Sequence, residues 1–140
     1  MTKWVLGHKI TPQTITGDFD LVFGETPPNI QGPPPHLHNI YHEVFLVTEG
    51  EMEFTLNGEV SVIKKGQTIN LPPKTIHTFA NNSCESCKWI NIHSPKGFAK
   101  FFENLGVSEK EEQADIKSLS PEIIQKVIKT ASLYDMIITN

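Results

Sequence analysis

The sequence predicts a mainly β chain, a small antiparallel barrel or sandwich followed by a helical tail. Three observations carry this. Short runs of alternating apolar and polar residues fill residues 1–94, an Asn57-Gly58 pair joins two of them, and beyond residue 94 the apolar period lengthens to that of a helix. Phe19, Leu21 and Phe23 share one face of a run beginning at Gly17. Met52, Phe54 and Leu56 share a face opposite Glu51, Glu53 and Thr55, Asn57-Gly58 supplies the positive-φ residues of a tight hairpin turn, and Val60 and Val62 continue on the other side. Further runs at 43–48, 68–71, 77–80 and 88–93 bring the strands to about seven, the number that a sandwich or barrel needs.

The tail reads as three helices. Ser94 is placed to cap the first with Pro95 at its first position, Phe98, Phe101, Phe102 and Leu105 form its stripe, and Gly106 ends it. Ser108 and Glu111 make a capping-box pattern for a short polar helix. Ser120-Pro121 opens a third, with Ile124, Val127, Ile128 and Ala131 as one apolar stripe. Residues 1–94 are thus expected to form the barrel, and residues 95–140 an extension packed on it or on a dimer partner.

Composition narrows the class. The chain has 140 residues, 38% hydrophobic and 20% charged, with a net charge of −4. That length suits one domain with its own core, and the balance argues against disorder. All 12 basic residues are lysines, with no surplus to neutralise phosphates, so nucleic acid is not an expected partner. No run approaches the roughly 20 apolar residues of a membrane span, and the first residues lack a signal-peptide core, so the expected location is cytoplasmic. Cys84 and Cys87 form one isolated C-x-x-C in what reads as a turn entering a strand, without the second pair that a zinc ribbon needs.

The chemistry lies in the histidines. His36, His38 and His42 fall within seven residues, with Glu43 next. On a strand His36 and His38 point to one face and can grip one metal ion. Glu43 lies at an odd interval from them, so a bend through residues 39–42 is needed before its carboxylate can join. His42 has the right parity on a straight strand and is the rival for the third position.

The segment Gly32-Pro-Pro-Pro-His36-Leu-His38-Asn-Ile-Tyr-His-Glu43, followed by six residues and Gly50, resembles the first motif of the cupin family. Gly66, Pro72, His77 and Asn81 match the second motif at every interval, with Lys74 where the family has glycine. Only three residues separate Gly32 from His36, where the family pattern often has five. The likeness spans roughly residues 24–105 and includes Ser-Pro-Lys-Gly-Phe at 94–98, as in quercetin-dioxygenase-like cupins.

The resemblance implies a double-stranded β-helix (jelly-roll) barrel of the RmlC-like type, with His36, His38, Glu43 and His77 holding one divalent transition metal: iron, manganese, nickel, cobalt or zinc. It also implies turn roles for Gly50 and Gly66, and an outward-facing His42. His8 and His93 are then read as ordinary surface or strand histidines. Tyr41, Phe45, Phe54, Phe79 and Trp89 are candidate lining, though any small barrel fills its interior with such side chains. Parity places Phe45 with Glu43 and Phe79 with His77, which makes those two the substrate-binding candidates.

The function implied is that of a dioxygenase-type oxidoreductase acting on a small aromatic or enol-bearing compound, with Glu43 as general base. A non-catalytic small-ligand-binding cupin, or a metal-dependent isomerase or epimerase, is the alternative. A homodimer is the expected assembly, with the proline-broken N-terminal strand offering an edge to its partner.

Overall fold

The computed structural model describes residues 1–139. Eleven strands run through the first two-thirds: β1 (Lys3–Val5), β2 (His8–Pro12), β3 (Asp20–Thr26), β4 (Ile30–Gln31), β5 (His36–Leu37), β6 (His42–Glu49), β7 (Glu51–Leu56), β8 (Glu59–Lys64), β9 (Thr68–Leu71), β10 (His77–Asn81) and β11 (Cys87–Ser94). The tail adds α1 (Ala99–Leu105), β12 (Val107–Ser108), α2 (Ala114–Lys117), α3 (Pro121–Thr130), a 3-10 turn over Ala131–Tyr134, and β13 (Ile137–Ile138).

The strands form two antiparallel sheets, ordered β12-β1-β2-β3-β11-β6-β9 and β13-β5-β10-β7-β8, with β4 beside β10. Their inner faces share one core. Phe45 and Trp89 of the first sheet meet Phe54 and Phe79 of the second at ring-centroid distances of 5.0 to 6.2 Å. This is the predicted barrel with short C-terminal helices.

The hairpin turn forms as read, with Asn57 at φ 47° and Gly58 at φ 85°. Gly50 also needs its glycine: its φ is 75°, and a Cβ there would meet the Ser86 carbonyl at 2.6 Å. Lys74 keeps the turn although it is not glycine. It adopts φ 66° and donates its backbone N–H to the His38 carbonyl.

Several local expectations are corrected. Leu21 and Phe23 do share a face, with Phe19 just ahead of the strand, but the buried apolar residue of β3 is Val22 at 1% exposure, while Phe23 is 48% exposed. The sequence contains apolar residues at both parities there, and pairing with β11 settles which side looks inward. Ser94 caps no helix because it ends β11, paired with His42. Helix α1 begins at Ala99, and the Asp20 carboxylate accepts from its first amide, that of Ala99, and from Gly97 just before the helix. Gly106 does end α1, in an extended conformation.

Ser108 lies in β12, paired with β1, and opens no helix. That pairing also covers the N-terminal edge expected to meet a partner. Ser120 caps α3 as read, accepting from the Ile123 amide, but Ile128 is 45% exposed, and Ile123 completes the packed stripe in its place. The tail finishes as a strand, β13, on β5. No helix among the described residues is long and apolar enough to cross a membrane.

Candidate metal centre

The chain reaches the centre by changing sheets. His36 sits on β5 in the second sheet, Glu43 on β6 in the first, and the chain bends at Asn39 and Ile40 between them. That bend is the one the odd interval demands. It is pinned by Asp135, whose carboxylate oxygens accept from the Asn39 amide at 3.0 Å and the Ile40 amide at 2.8 Å. Beyond the bend His42 is exposed, bonded to Asn70, and takes no part.

His36, His38, Glu43 and His77 are buried, at 2–4% exposure, and lie together. Ring nitrogens of His36, His38 and His77 lie within 4.8 Å of one another. The Glu43 Oε2 atom is 3.1 Å from His77 Nε2 and 3.4 Å from His38 Nε2.

Each imidazole is oriented through its other nitrogen. His36 Nδ1 meets the Pro34 carbonyl at 2.9 Å, His38 Nδ1 the Asp135 carbonyl at 2.7 Å, and His77 Nδ1 the Thr75 carbonyl at 2.9 Å. A carbonyl only accepts, so each Nδ1 carries the hydrogen, and in the neutral ring each Nε2 presents a lone pair to the centre. Glu43 is held by Asn91, whose amide donates to Oε1 at 2.9 Å. This leaves Glu43 Oε2 and His77 Nε2 buried without hydrogen-bond partners. A cluster of acceptors with nothing to accept from is costly unless a cation fills it. The donor set therefore fits a transition metal, and imidazole with carboxylate suits iron, manganese, nickel, cobalt or zinc.

The electrostatics agree. Burial, then the neighbouring His77 ring, lowers His36 to about 3, keeping it neutral. For Glu43 burial works upward, but His93, His38 and His77 outweigh it and hold the carboxyl well below its usual range. For His77 burial works downward, yet the Glu43 carboxylate outweighs it and raises the ring's pKa.

Two histidines read as ordinary belong to this region. His93, on β11, is 2% exposed, and its Nε2 lies 3.3 Å from Glu43 Oε1 without a hydrogen-bond partner. With His38 and Glu43 it forms a second close donor group. Burial lowers it to about 4. The signal available for it was parity: Trp89, Asn91 and His93 all look inward from β11. His8, on β2, is 3% exposed and lines the same cavity as His36, His38, Glu43 and His93.

That cavity holds about 60 Å³. Phe45 and Phe79 both line it, as does Trp89, whereas Phe54 is fully buried beneath. The tail supplies the rest of the wall. Phe98 stacks on His93 at 4.3 Å and meets His38 edge-on at 4.9 Å, and Phe101, Phe102 and Met136 continue the apolar lining. Tyr41 stands edge-on to His38, His93 and Phe98. The two cysteines lie elsewhere: Cys84 is exposed and Cys87 buried, both free, with burial and then Glu51 raising the Cys87 thiol to about 12.

Comparison with known proteins gives this arrangement a family. The cupin domain profile matches residues 22–93. Among curated proteins, the chain is 38% identical over 71 residues to quercetin 2,3-dioxygenase of Bacillus subtilis, covering 51% of this chain and 21% of that protein. It is 41% identical over 46 residues to an uncharacterized protein of Methanocaldococcus jannaschii, covering 33% of this chain and 37% of that one. The chain thus spans little more than a third of the Methanocaldococcus protein and about a fifth of the quercetin dioxygenase. Among solved structures, an RmlC-like cupin from Shewanella frigidimarina superposes with a TM-score of 0.61 at 21% identity, over 68% of this chain and 83% of that one. With the motif residues gathered inside such a barrel, the chain belongs to the cupin family.

Proposed function

We propose that this chain is a metal-dependent cupin oxidoreductase of the dioxygenase type, acting on a small aromatic or enol-bearing compound. The observation that carries the reading is the set of buried Nε2 and carboxylate acceptors, left without partners and opening on an apolar cavity. His36, His38, Glu43 and His77 are the residues that would hold the ion, with His93 beside them. When bound, such an ion supplies Lewis acidity and one-electron chemistry.

The protein's own groups do the rest. Phe45, Phe79 and Trp89 form apolar walls that favour a planar guest and exclude water. Glu43 Oε1 is engaged by Asn91, so Oε2 is the oxygen free to take a proton. The surrounding imidazoles hold that carboxylate ionised, so it stands ready to accept a proton, though as a weak base. The resemblance to the quercetin dioxygenase supports the reaction class, while the cavity volume supports guests smaller than a tricyclic flavonol.

The test is oxygen consumption by protein loaded separately with iron, manganese, nickel or cobalt, offered simple β-diketones and dihydroxybenzenes. Stoichiometric oxygen uptake with ring or chain cleavage is expected for at least one pairing. Turnover that proceeds equally without oxygen would replace this reading by an isomerase or epimerase. Tight binding without any turnover would replace it by a ligand-binding cupin.

A homodimer through the first sheet accompanies the proposal. Its support is a contiguous apolar patch on the outer face, where Phe23 and Leu21 lie beside Ile90 and Ile92, and these beside Leu46 and Val44. Phe23→Glu is expected to shift the protein from dimer to monomer in analytical ultracentrifugation, with its metal content unchanged.

A further inference from the structure

His8 is the buried histidine that the metal centre does not use. It stands outside both close donor groups, yet it lines the same cavity. Its Nδ1 lies 2.8 Å from the Thr26 hydroxyl, and the Trp89 indole N–H lies 2.9 Å from that same oxygen. Indole nitrogen can only donate, so the Thr26 oxygen accepts from Trp89. Thr26 is fully buried, and among the described residues its own hydrogen has His8 Nδ1 as its acceptor. His8 therefore receives at Nδ1 and, being neutral, carries its hydrogen at Nε2.

That Nε2–H is buried and has no hydrogen-bond partner. Burial lowers His8 to about 4, which keeps the ring neutral. The backbone carbonyl of Gln31 acts on the ring in the opposite direction, which suits a hydrogen on the ring, but no acceptor stands in hydrogen-bonding geometry at Nε2.

The position relative to the metal centre follows from β10. Phe79 lies two residues beyond His77, about 6.6 Å along the strand, and the His8 ring lies 5.1 Å from the Phe79 ring.

We propose that His8 is a second recognition point of the cavity, donating Nε2–H to an acceptor atom on the end of the guest remote from the metal donors. The guest class is thereby sharpened to a compact planar molecule with metal-seeking oxygens at one end and a hydrogen-bond acceptor at the other. This rests on the reading of the cavity as a metal-dependent site. His8 is a positioning and specificity residue there, and Thr26 and Trp89 set its tautomer.

Two experiments test it. In metal-free protein, long-range proton–nitrogen correlation spectra of the imidazoles are expected to show His8 with Nδ1 unprotonated and Nε2 protonated, while His36, His38 and His77 show the reverse. A protonated Nδ1 on His8 overturns the proposal whether or not any metal binds. In metal-loaded protein, dissociation constants are measured for catechol and for 4-nitrocatechol, whose nitro oxygens supply the distal acceptor. His8→Phe is expected to weaken 4-nitrocatechol about tenfold, the scale of one hydrogen bond, and to leave catechol within about twofold. His8→Gln, which keeps an N–H donor, is expected to recover part of the loss.

Equal effects on both probes, or none on either, overturn the role of His8 while leaving the metal reading intact. Failure of the unsubstituted protein to take up metal or bind catechol strikes the metal reading instead. The tautomer measurement then decides whether His8 carries its hydrogen at Nε2, as the proposal requires.

Discussion

At the candidate metal centre His36, His38 and His77 each give an Nδ1 hydrogen to a backbone carbonyl and turn a lone pair toward one another. His8, elsewhere in the cavity wall, takes a hydrogen on Nδ1 from Thr26 and is left with an Nε2–H that has no hydrogen-bond partner. All four rings are buried, so burial does not distinguish them. The difference lies in the neighbour of the hidden nitrogen: a carbonyl makes the ring an acceptor toward the cavity, and a hydroxyl already engaged by an indole makes it a donor. On the readings proposed above, one type of side chain builds both a cation-seeking and an acceptor-seeking group around one small cavity.

The sharpest way to break this contrast is to remove one ring of each kind. His77→Ala is expected to cost at least about 100-fold in metal affinity, since it deletes a donor outright. His8→Phe is expected to leave the metal stoichiometry as it was. Elemental analysis after loading and dialysis reads both, and comparable losses would show that the two groups are not separate.

A smaller effect is expected from Asp135, which orients the metal centre without contributing a donor. Asp135→Ala removes both hydrogen bonds that pin the 39–40 bend, and with it the placement of the His38-bonding carbonyl. A loss of about tenfold in metal affinity is expected, the lower end of what outer partners of ligands contribute. Competition against a chromophoric chelator measures it. Unchanged affinity would mean that β13 alone holds His38.

Acid should then weaken the metal-free fold. His8 and His93, at about 4, and His36, at about 3, stay neutral in the fold, while the same rings in the unfolded chain protonate near pH 6.5. Below pH 6.5 the unfolded state binds more protons, so stability is lost as pH falls toward 4, and His8's share is at most about 3 kcal/mol. Urea melts at pH 7 and pH 4 are expected to show a smaller pH-dependent loss in His8→Phe than in the parent. An equal loss would contradict the buried neutral ring.

Much of the candidate metal centre was legible along the chain because most of its donor residues follow short intervals. The H-x-H pair, the odd step to Glu43 and the bend it demands, the Asn57-Gly58 turn and the inward parity of Phe45 and Phe79 all appear in the fold. The misreadings share one cause. Phe23 and Val22 offer apolar groups at opposite parities, Ser94 resembles a cap, and His8 and His93 sit in unremarkable strand sequence. Each was decided by a partner strand distant in sequence: β11 beside β3, β6 beside Ser94, and Glu43 beside His93.

The sequence by itself determined a mainly β chain, a hairpin, the motif residues of a cupin and the donor types available to a metal. These depend on residue type and on spacing over a few positions, and a strand's period of two converts spacing into facing. The tertiary structure alone decided which rings are tied to which acceptors. Asp135 reaches His38 across 97 residues, and Trp89 reaches Thr26 across 63. An imidazole's tautomer is set by the atom touching its second nitrogen, and here, for His38 and His8, that atom arrives from a distant part of the chain.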